Sequence, residues 1–236
     1  MPSEALSARG IAVPRQLPLP FAHRPEFAAA NLVEAPSNAE ALAWLDRTDD
    51  WPGRRLLLWG EAGCGKTHLL HLWAARRGAA CRSGLDLRGP LPPEMTPAGL
   101  AIDDADTAAD PAALLHTLNA AAEARVPVLL AARTPPARWE IALADLASRL
   151  RATQAVMIGP ADAPLLRALL ARLLAERQVA VSEVVQDWLL ARLPRTPAAL
   201  REAAARLDRA ALGAGRAVTR ALAAEVLAEL AEAEGR

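Results

Sequence analysis

The sequence is poor in several things that would tie a protein to a surface or a polymer. It has no tyrosine, two phenylalanines and 3% aromatic residues in 236, which leaves few platforms on which unpaired bases could stack. Its two cysteines, Cys64 and Cys81, match no disulfide or zinc spacing, so a reducing cytoplasm is the expected compartment. Twenty-seven basic residues face twenty-seven acidic ones, so no net field draws nucleic acid or anionic lipid. No uncharged apolar run could cross a bilayer, and the first residues lack the apolar core of a secretory leader, so none is expected. The most telling scarcity is lysine. Lys66 is the only one, and every other basic side chain is arginine.

That lysine lies in Gly60-Glu61-Ala62-Gly63-Cys64-Gly65-Lys66-Thr67, which fits G-x-x-x-x-G-K-[ST], the phosphate-binding P-loop pattern. Leu56-Leu57-Leu58-Trp59 before it reads as a buried strand, and residues 68–77 after it read as a helix stopped by Gly78. The chemistry explains the spacing. Glycines let the backbone close around a polyphosphate, successive N–H groups form an anion nest, and the helix N-terminus adds its positive end. Lys66 is placed for the β- and γ-phosphates and Thr67 for Mg²⁺. An ammonium is a compact charge that a planar guanidinium does not reproduce.

A length of 236 residues suits one domain or two small ones. Residues 1–15 are small, polar and broken by Pro and Gly, as in a disordered leader. Gln16-Leu17-Pro18-Leu19-Pro20-Phe21 follows. Its prolines keep it extended, and its apolar side chains suit either a partner or a return onto its own domain. Residues 38–45 read as a helix with Ser37 or Asn38 as cap. Beyond the P-loop helix come a weak strand at 79–82, a Gly- and Pro-rich loop at 84–97, and a buried strand at 99–104. A helix is expected at 111–125 behind Asp110-Pro111, a strand at 126–132, a helix at 143–150 and a strand at 155–158. Alternating strands and helices imply a parallel sheet covered on both faces. After Gly159-Pro160 only helices are expected. Leu165, Leu166, Leu169, Leu170, Leu173 and Leu174 mark the face of one, and Val184, Val185, Trp188 and Leu189 that of the next.

Asp103-Asp104 ends the strand that follows the P-loop unit. Two aspartates after a strand are usually a turn signal. Here they also suit Walker B carboxylates, Asp103 holding Mg²⁺ and Asp104 orienting an attacking water. Arg149 ends a short helix, where it either balances the dipole or serves as an arginine finger on a transferring phosphoryl group.

A P-loop domain followed by a helical lid resembles the AAA+ ATPases, and more narrowly the DnaA/Hda family. The resemblance runs through Asn31-Leu32-Val33-Glu34 to Ser37-Asn38 beside the adenine, the P-loop region to His71, Ile102-Asp103-Asp104, and Ala132-Arg133-Thr134-Pro135-Pro136 at the sensor 1 turn. It continues in Asp145-Leu146-Ala147-Ser148-Arg149-Leu150, the finger box, and Leu207-Asp208-Arg209-Ala210 in the lid. Residues 16–21 resemble the hexapeptide by which the family's regulators bind the DNA-polymerase sliding clamp.

The resemblance implies an α/β fold, with an AAA+ P-loop NTPase core built on a five-stranded parallel sheet and then a small all-helical lid. The arm would span 1–22, the nucleotide-binding domain 23–160 and the lid 161–236. It implies ADP or ATP bound by Val33, Gly60, Glu61, Ala62, Gly63, Cys64, Gly65, Lys66, Thr67 and His68, and Mg²⁺ at Thr67 and Asp103. Asp104 and Arg149 would be catalytic, and Gln16, Leu17, Pro18, Leu19, Pro20 and Phe21 would bind the clamp.

The implied partners are the clamp's beta subunit and DnaA, whose bound ATP the chain would cause to be hydrolysed. DNA would be reached only through the loaded clamp, no membrane is involved, and self-association is compatible. DnaA continues into a helix-turn-helix DNA-binding domain, so a chain ending after the lid is expected to be the regulator. Arg133 stands near a family aspartate, and Ala198 where the lid arginine is expected, with Arg195 and Arg201 nearby. Both departures imply at most weak hydrolysis by the chain alone. The alternatives are a self-sufficient AAA+ ATPase of the helicase-loader type and a small-molecule P-loop kinase.

Overall fold

A computed structural model describes residues 32–89, 94–214 and 218–234. Residues 16–21 and Asn31 lie outside them. The sheet is built from β1 (Arg55–Trp59), β2 (Ala80–Ser83), β3 (Leu100–Asp103), β4 (Val128–Ala132) and β5 (Gln154–Met157). The strands run parallel in the order β2-β3-β4-β1-β5. Leu57 sits opposite Leu130 on one side and Ala155 on the other. Leu56, Leu57 and Leu58 are all fully buried, because a parallel sheet covered on both faces needs apolar side chains at every position rather than at alternate ones.

Helices α1 (Ala39–Asp46) and α2 (Lys66–Arg77) cover one face, α3 (Pro111–Glu123) and α4 (Ala144–Arg151) the other. Trp51 stacks on Trp73 at 5.3 Å between centroids, and each indole N–H is satisfied, by the Trp44 carbonyl and the Thr48 hydroxyl. Asp110 caps α3 as expected. The Ala113 N–H, with those of Gly89 and Ala112, holds its carboxyl below the usual range.

The remaining helices, α5 (Ala163–Glu176), α6 (Glu183–Leu190), α7 (Pro197–Ala214) and α8 (Arg220–Glu234), share a separate core. Leu170, Leu189, Ala203, Ala204 and Leu207 are fully buried there, and the two alanines let α5 and α7 approach closely.

Several expectations are corrected. β3 ends at Asp103, and Asp104 turns out of the sheet at φ 51°. The stretch after β2 is not wholly loop, since Gly84–Asp86 forms a 3₁₀ turn begun by the Ser83 hydroxyl. Val184, expected on the apolar face of its helix, is 77% exposed, while Leu165 packs against the lid core as expected and also lines a cavity.

Candidate nucleotide site

The site lies at the carboxyl ends of the strands. β1 delivers residues 60–67, β3 delivers Asp103 and Asp104, and β4 delivers Arg133 and Thr134. With β4 between β1 and β3, the phosphate loop and the aspartates are two strand spacings apart, about 10 Å. The Gly60 N–H donates to the Ala132 carbonyl at 3.3 Å, which ties the loop to the neighbouring strand end. A Cβ on Gly60 would fall 2.4 Å from the Ile158 carbonyl oxygen, so any side chain there would push β1 from the chain leaving β5.

Lys66 is buried. Its Nζ donates to the carbonyls of Gly60 at 2.7 Å and Glu61 at 2.8 Å, and lies 3.7 Å from Cys64 Sγ. The loop thus curls around its own ammonium. Gly65 caps α2 in the left-handed region, with no side chain bonded to the cap. The amide N–H groups of this helix start, beside a held cation, have the donor character that phosphates require.

Asp103 accepts from the Asp104 N–H at 3.0 Å, and the Asp104 carbonyl accepts from the Thr107 N–H and hydroxyl. Two residues the sequence reading passed over support this corner. Gly84 lies so close that a Cβ on it would meet the Asp104 carbonyl oxygen at 2.4 Å. Asp106 Oδ2 accepts from the Arg133 N–H at 2.7 Å, linking the aspartate turn to the turn after β4. Among the described residues no group of three or more His, Cys, Asp or Glu could hold a metal by itself. One carboxylate, a hydroxyl and substrate phosphates are a usual Mg²⁺ environment, and Asp103 and Thr67 fit it.

Beside the loop opens a cavity of about 350 Å³ between the sheet layer and the lid. Val33, Cys64, Gly65 and His68 line it from one side, and Leu165, Ala198 and Arg201 from the other. Asn38 shapes its mouth. It stands at the cap of α1, one of the two positions expected, but its side chain makes no bond to the helix and reaches back, accepting from the Ala35 N–H and donating to the Val33 carbonyl at 2.9 Å. The lid touches the phosphate loop where Thr196 lies against Gly63.

Arg201 was legible only as a neighbour of Ala198. One helical turn further along α7, it shares that residue's face and brings a guanidinium to the cavity wall, whereas Arg195 is exposed and does not line it. Partial burial lowers the pKa of Arg201.

His68 has its pKa lowered by burial first, then by Arg201 and His71. Its folded value therefore lies below the unfolded value of about 6.5. The unfolded chain takes up the proton first, so this contribution to stability is complete above about pH 6.5 and is lost as the pH falls toward the folded value. His68→Gln is expected to flatten the acid side of the Tm-against-pH curve, and Arg201→Ala to raise the His68 pKa read by NMR. Parallel acid-side curves for parent and His68→Gln would show that this histidine contributes nothing.

Arg149 is not brought to this site. It lies in the last turn of α4, near Arg55 at the amino end of β1. The five residues of β1 separate that end from the chain's own phosphate loop by about 16 Å.

These features define the AAA+ fold, a P-loop α/β core with a helical lid against its phosphate loop. No protein-family model and no curated protein sequence matches the chain. Among solved structures, domain III of the Thermotoga maritima replication initiation protein DnaA is similar at a TM-score of 0.72 and 17% identity, over 87% of this chain and 97% of that one. DnaA from Aquifex aeolicus bound to AMPPCP gives 0.60 and 17%, over 76% of this chain and 64% of that one. The Thermotoga maritima RuvB Holliday junction branch migration motor gives 0.58 and 18%, over 75% and 61%. Among the described residues no helix is long and apolar enough to cross a membrane.

Proposed function

We propose that the chain is a cytoplasmic, adenine-nucleotide-binding regulator of replication initiation. It binds the sliding clamp through residues 16–21 and promotes hydrolysis of ATP held by DnaA. The phosphates of ADP or ATP belong at residues 60–67 with Lys66 as their cation, and the base belongs in the cavity beside Val33 and His68. Thr67 and Asp103 would hold Mg²⁺, which would supply charge neutralisation on the phosphates, and Asp104 would orient the water. The observation that carries the regulatory reading is the place of Arg149, at the end of the sheet away from the chain's own phosphate loop. A guanidinium there serves a neighbour's nucleotide, not its own.

The test is DnaA's ATPase activity with this protein present, with and without clamp loaded on DNA. Stimulation is expected only with loaded clamp, and its loss when residues 1–21 are removed, with nucleotide binding intact. Equal stimulation without clamp would sink the clamp-dependent reading. A self-sufficient ATPase acting on nucleic acid is the second reading, favoured by Arg201, which supplies a lid cation at the cavity. Hydrolysis by the chain alone, accelerated by DNA, would establish it instead.

A further inference from the structure

Arg149 does not stand alone. Arg55 opens β1, and its Nε donates to the Thr153 hydroxyl at 3.3 Å, while that hydroxyl donates to the Arg149 carbonyl at 3.0 Å. Thr153 is buried, and both arginines are partly buried. One short loop residue thus holds the two guanidinium-bearing segments together. Among the described residues no carboxylate forms an ion pair with either arginine, and Arg149 Nε is buried without an acceptor. The pKa of Arg55 is lowered by burial and then by the charge of Arg149. The neighbouring arginines differ in having a partner for the guanidinium: Arg54, whose Nε is also buried without an acceptor, pairs with Asp49 through its terminal nitrogen, and Arg151 Nε donates to the Ala147 carbonyl.

Two like charges, partly desolvated and without a counter-ion, cost free energy that an anion from outside would offset. The anion can approach, because β5 is the outer strand of the sheet and this corner lies beside it. Planar guanidiniums suit phosphate, since each presents parallel N–H donors.

We propose that Arg55 and Arg149 together bind the terminal phosphate of a nucleotide held in the P-loop of a second AAA+ subunit, Arg55 being a second catalytic cation. This rests on the trans reading of Arg149 given above. Arg149 brings the guanidinium that the helix end presents, and Arg55 adds a charge fixed by the strand and by Thr153. A phosphoryl group in transfer spreads charge over three oxygens, so two cations set side by side can stabilise it more than one.

The experiment measures turnover of the partner's ATP over a range of concentrations of this protein, for full-length parent and variants. Arg55→Ala and Arg55→Met are expected to lower maximal stimulated turnover by about 10- to 100-fold, the worth of one charged hydrogen bond. The half-saturating concentration should stay unchanged, since a contact made in the transition state affects turnover rather than docking. Arg55→Lys should recover part of the rate.

Methionine keeps the packing of the stem without the charge. If Arg55→Met stimulates normally while Arg55→Ala does not, Arg55 merely packs, and the inference falls. If Arg149→Ala loses stimulation and both Arg55 variants keep it, the inference falls while the trans reading stands. If Arg149→Ala itself stimulates normally, the trans reading fails. Arg54→Ala is the control for charge at this surface. If Arg55→Ala lowers duplex affinity at physiological salt but leaves stimulation intact, the anion is a DNA backbone and the proposal is overturned.

The source of the nucleotide is separated by mixing a Lys66→Ala copy with an Arg55→Ala copy. Turnover regained only in the mixture identifies a second copy of this chain as the partner. Turnover seen only with DnaA identifies DnaA.

Discussion

Lys66→Ala is expected to weaken ADP binding by about 10- to 10²-fold while the protein stays folded. The magnitude follows from one charge-assisted contact to the β-phosphate, worth about 1.5–3 kcal/mol, and ATP, which adds a γ-phosphate, should lose more. The structure adds why no other residue can take over. The ammonium is already placed inside the loop by the Gly60 and Glu61 carbonyls, so little side-chain entropy remains to be lost on binding. Arginine should not rescue it, because a planar fork cannot occupy the same small space between two carbonyls. A chain that uses arginine at every other basic position yet keeps lysine here is consistent with that restriction. Folding should survive because Glu61 is exposed, so water can replace its lost donor, and the buried Gly60 carbonyl loses one bond at a cost of about 1–3 kcal/mol. Calorimetric titration with ADP and a thermal melt decide it. Unchanged affinity in a folded variant would move the phosphate site elsewhere.

The parts of this arrangement that were legible in the sequence are those encoded locally. An apolar strand, a glycine loop, a lysine and a helix are contiguous, so the phosphate loop could be read directly. The Asp110 cap and the Gly78 stop could be read for the same reason. Strand order could not. Leu56 to Leu58 and Val128 to Ala132 announce burial on both faces, but a uniformly apolar strand does not name its neighbours, and β1 lies between two strands distant in the chain.

Helical periodicity marked the lid stripes without fixing their edges. Val184 therefore falls in solvent, and Leu165, at the stripe's edge, packs on the lid core while also reaching the cavity wall. The polar residues that were missed act at a distance in sequence. Asp106 holds Arg133, and Arg201 meets the cavity only after α7 folds over the loop. Ser37 or Asn38 was read as the cap; Asn38 holds that position, but its side chain joins Val33 and Ala35 beside the cavity instead of bonding the helix.

Arg149→Ala is expected to leave nucleotide and clamp binding unchanged and to reduce stimulation of DnaA's ATPase by about 10²-fold or more. Arginine fingers in GTPases contribute about 10³–10⁵ in rate, and a neighbouring Arg55 that retains some charge would soften the loss. The alternative was a helix-end arginine that only balances the dipole. Arg151 already takes that role, its Nε donating to the Ala147 carbonyl within the helix, whereas Arg149 Nε is buried without an acceptor. A buried donor left open costs free energy and is retained where a partner arrives from outside. The span of β1 keeps the chain's own nucleotide out of reach, so under the proposed reading that partner would be a nucleotide on another subunit. Arg149→Lys should recover little, because the bidentate fork is lost, and Arg151→Ala should stimulate nearly as the parent does. The assay is single-turnover hydrolysis of ATP preloaded on DnaA, with clamp loaded on DNA. Normal rates with Arg149→Ala, or equal losses with Arg151→Ala, would reduce Arg149 to a structural arginine and leave the regulator without its catalytic group.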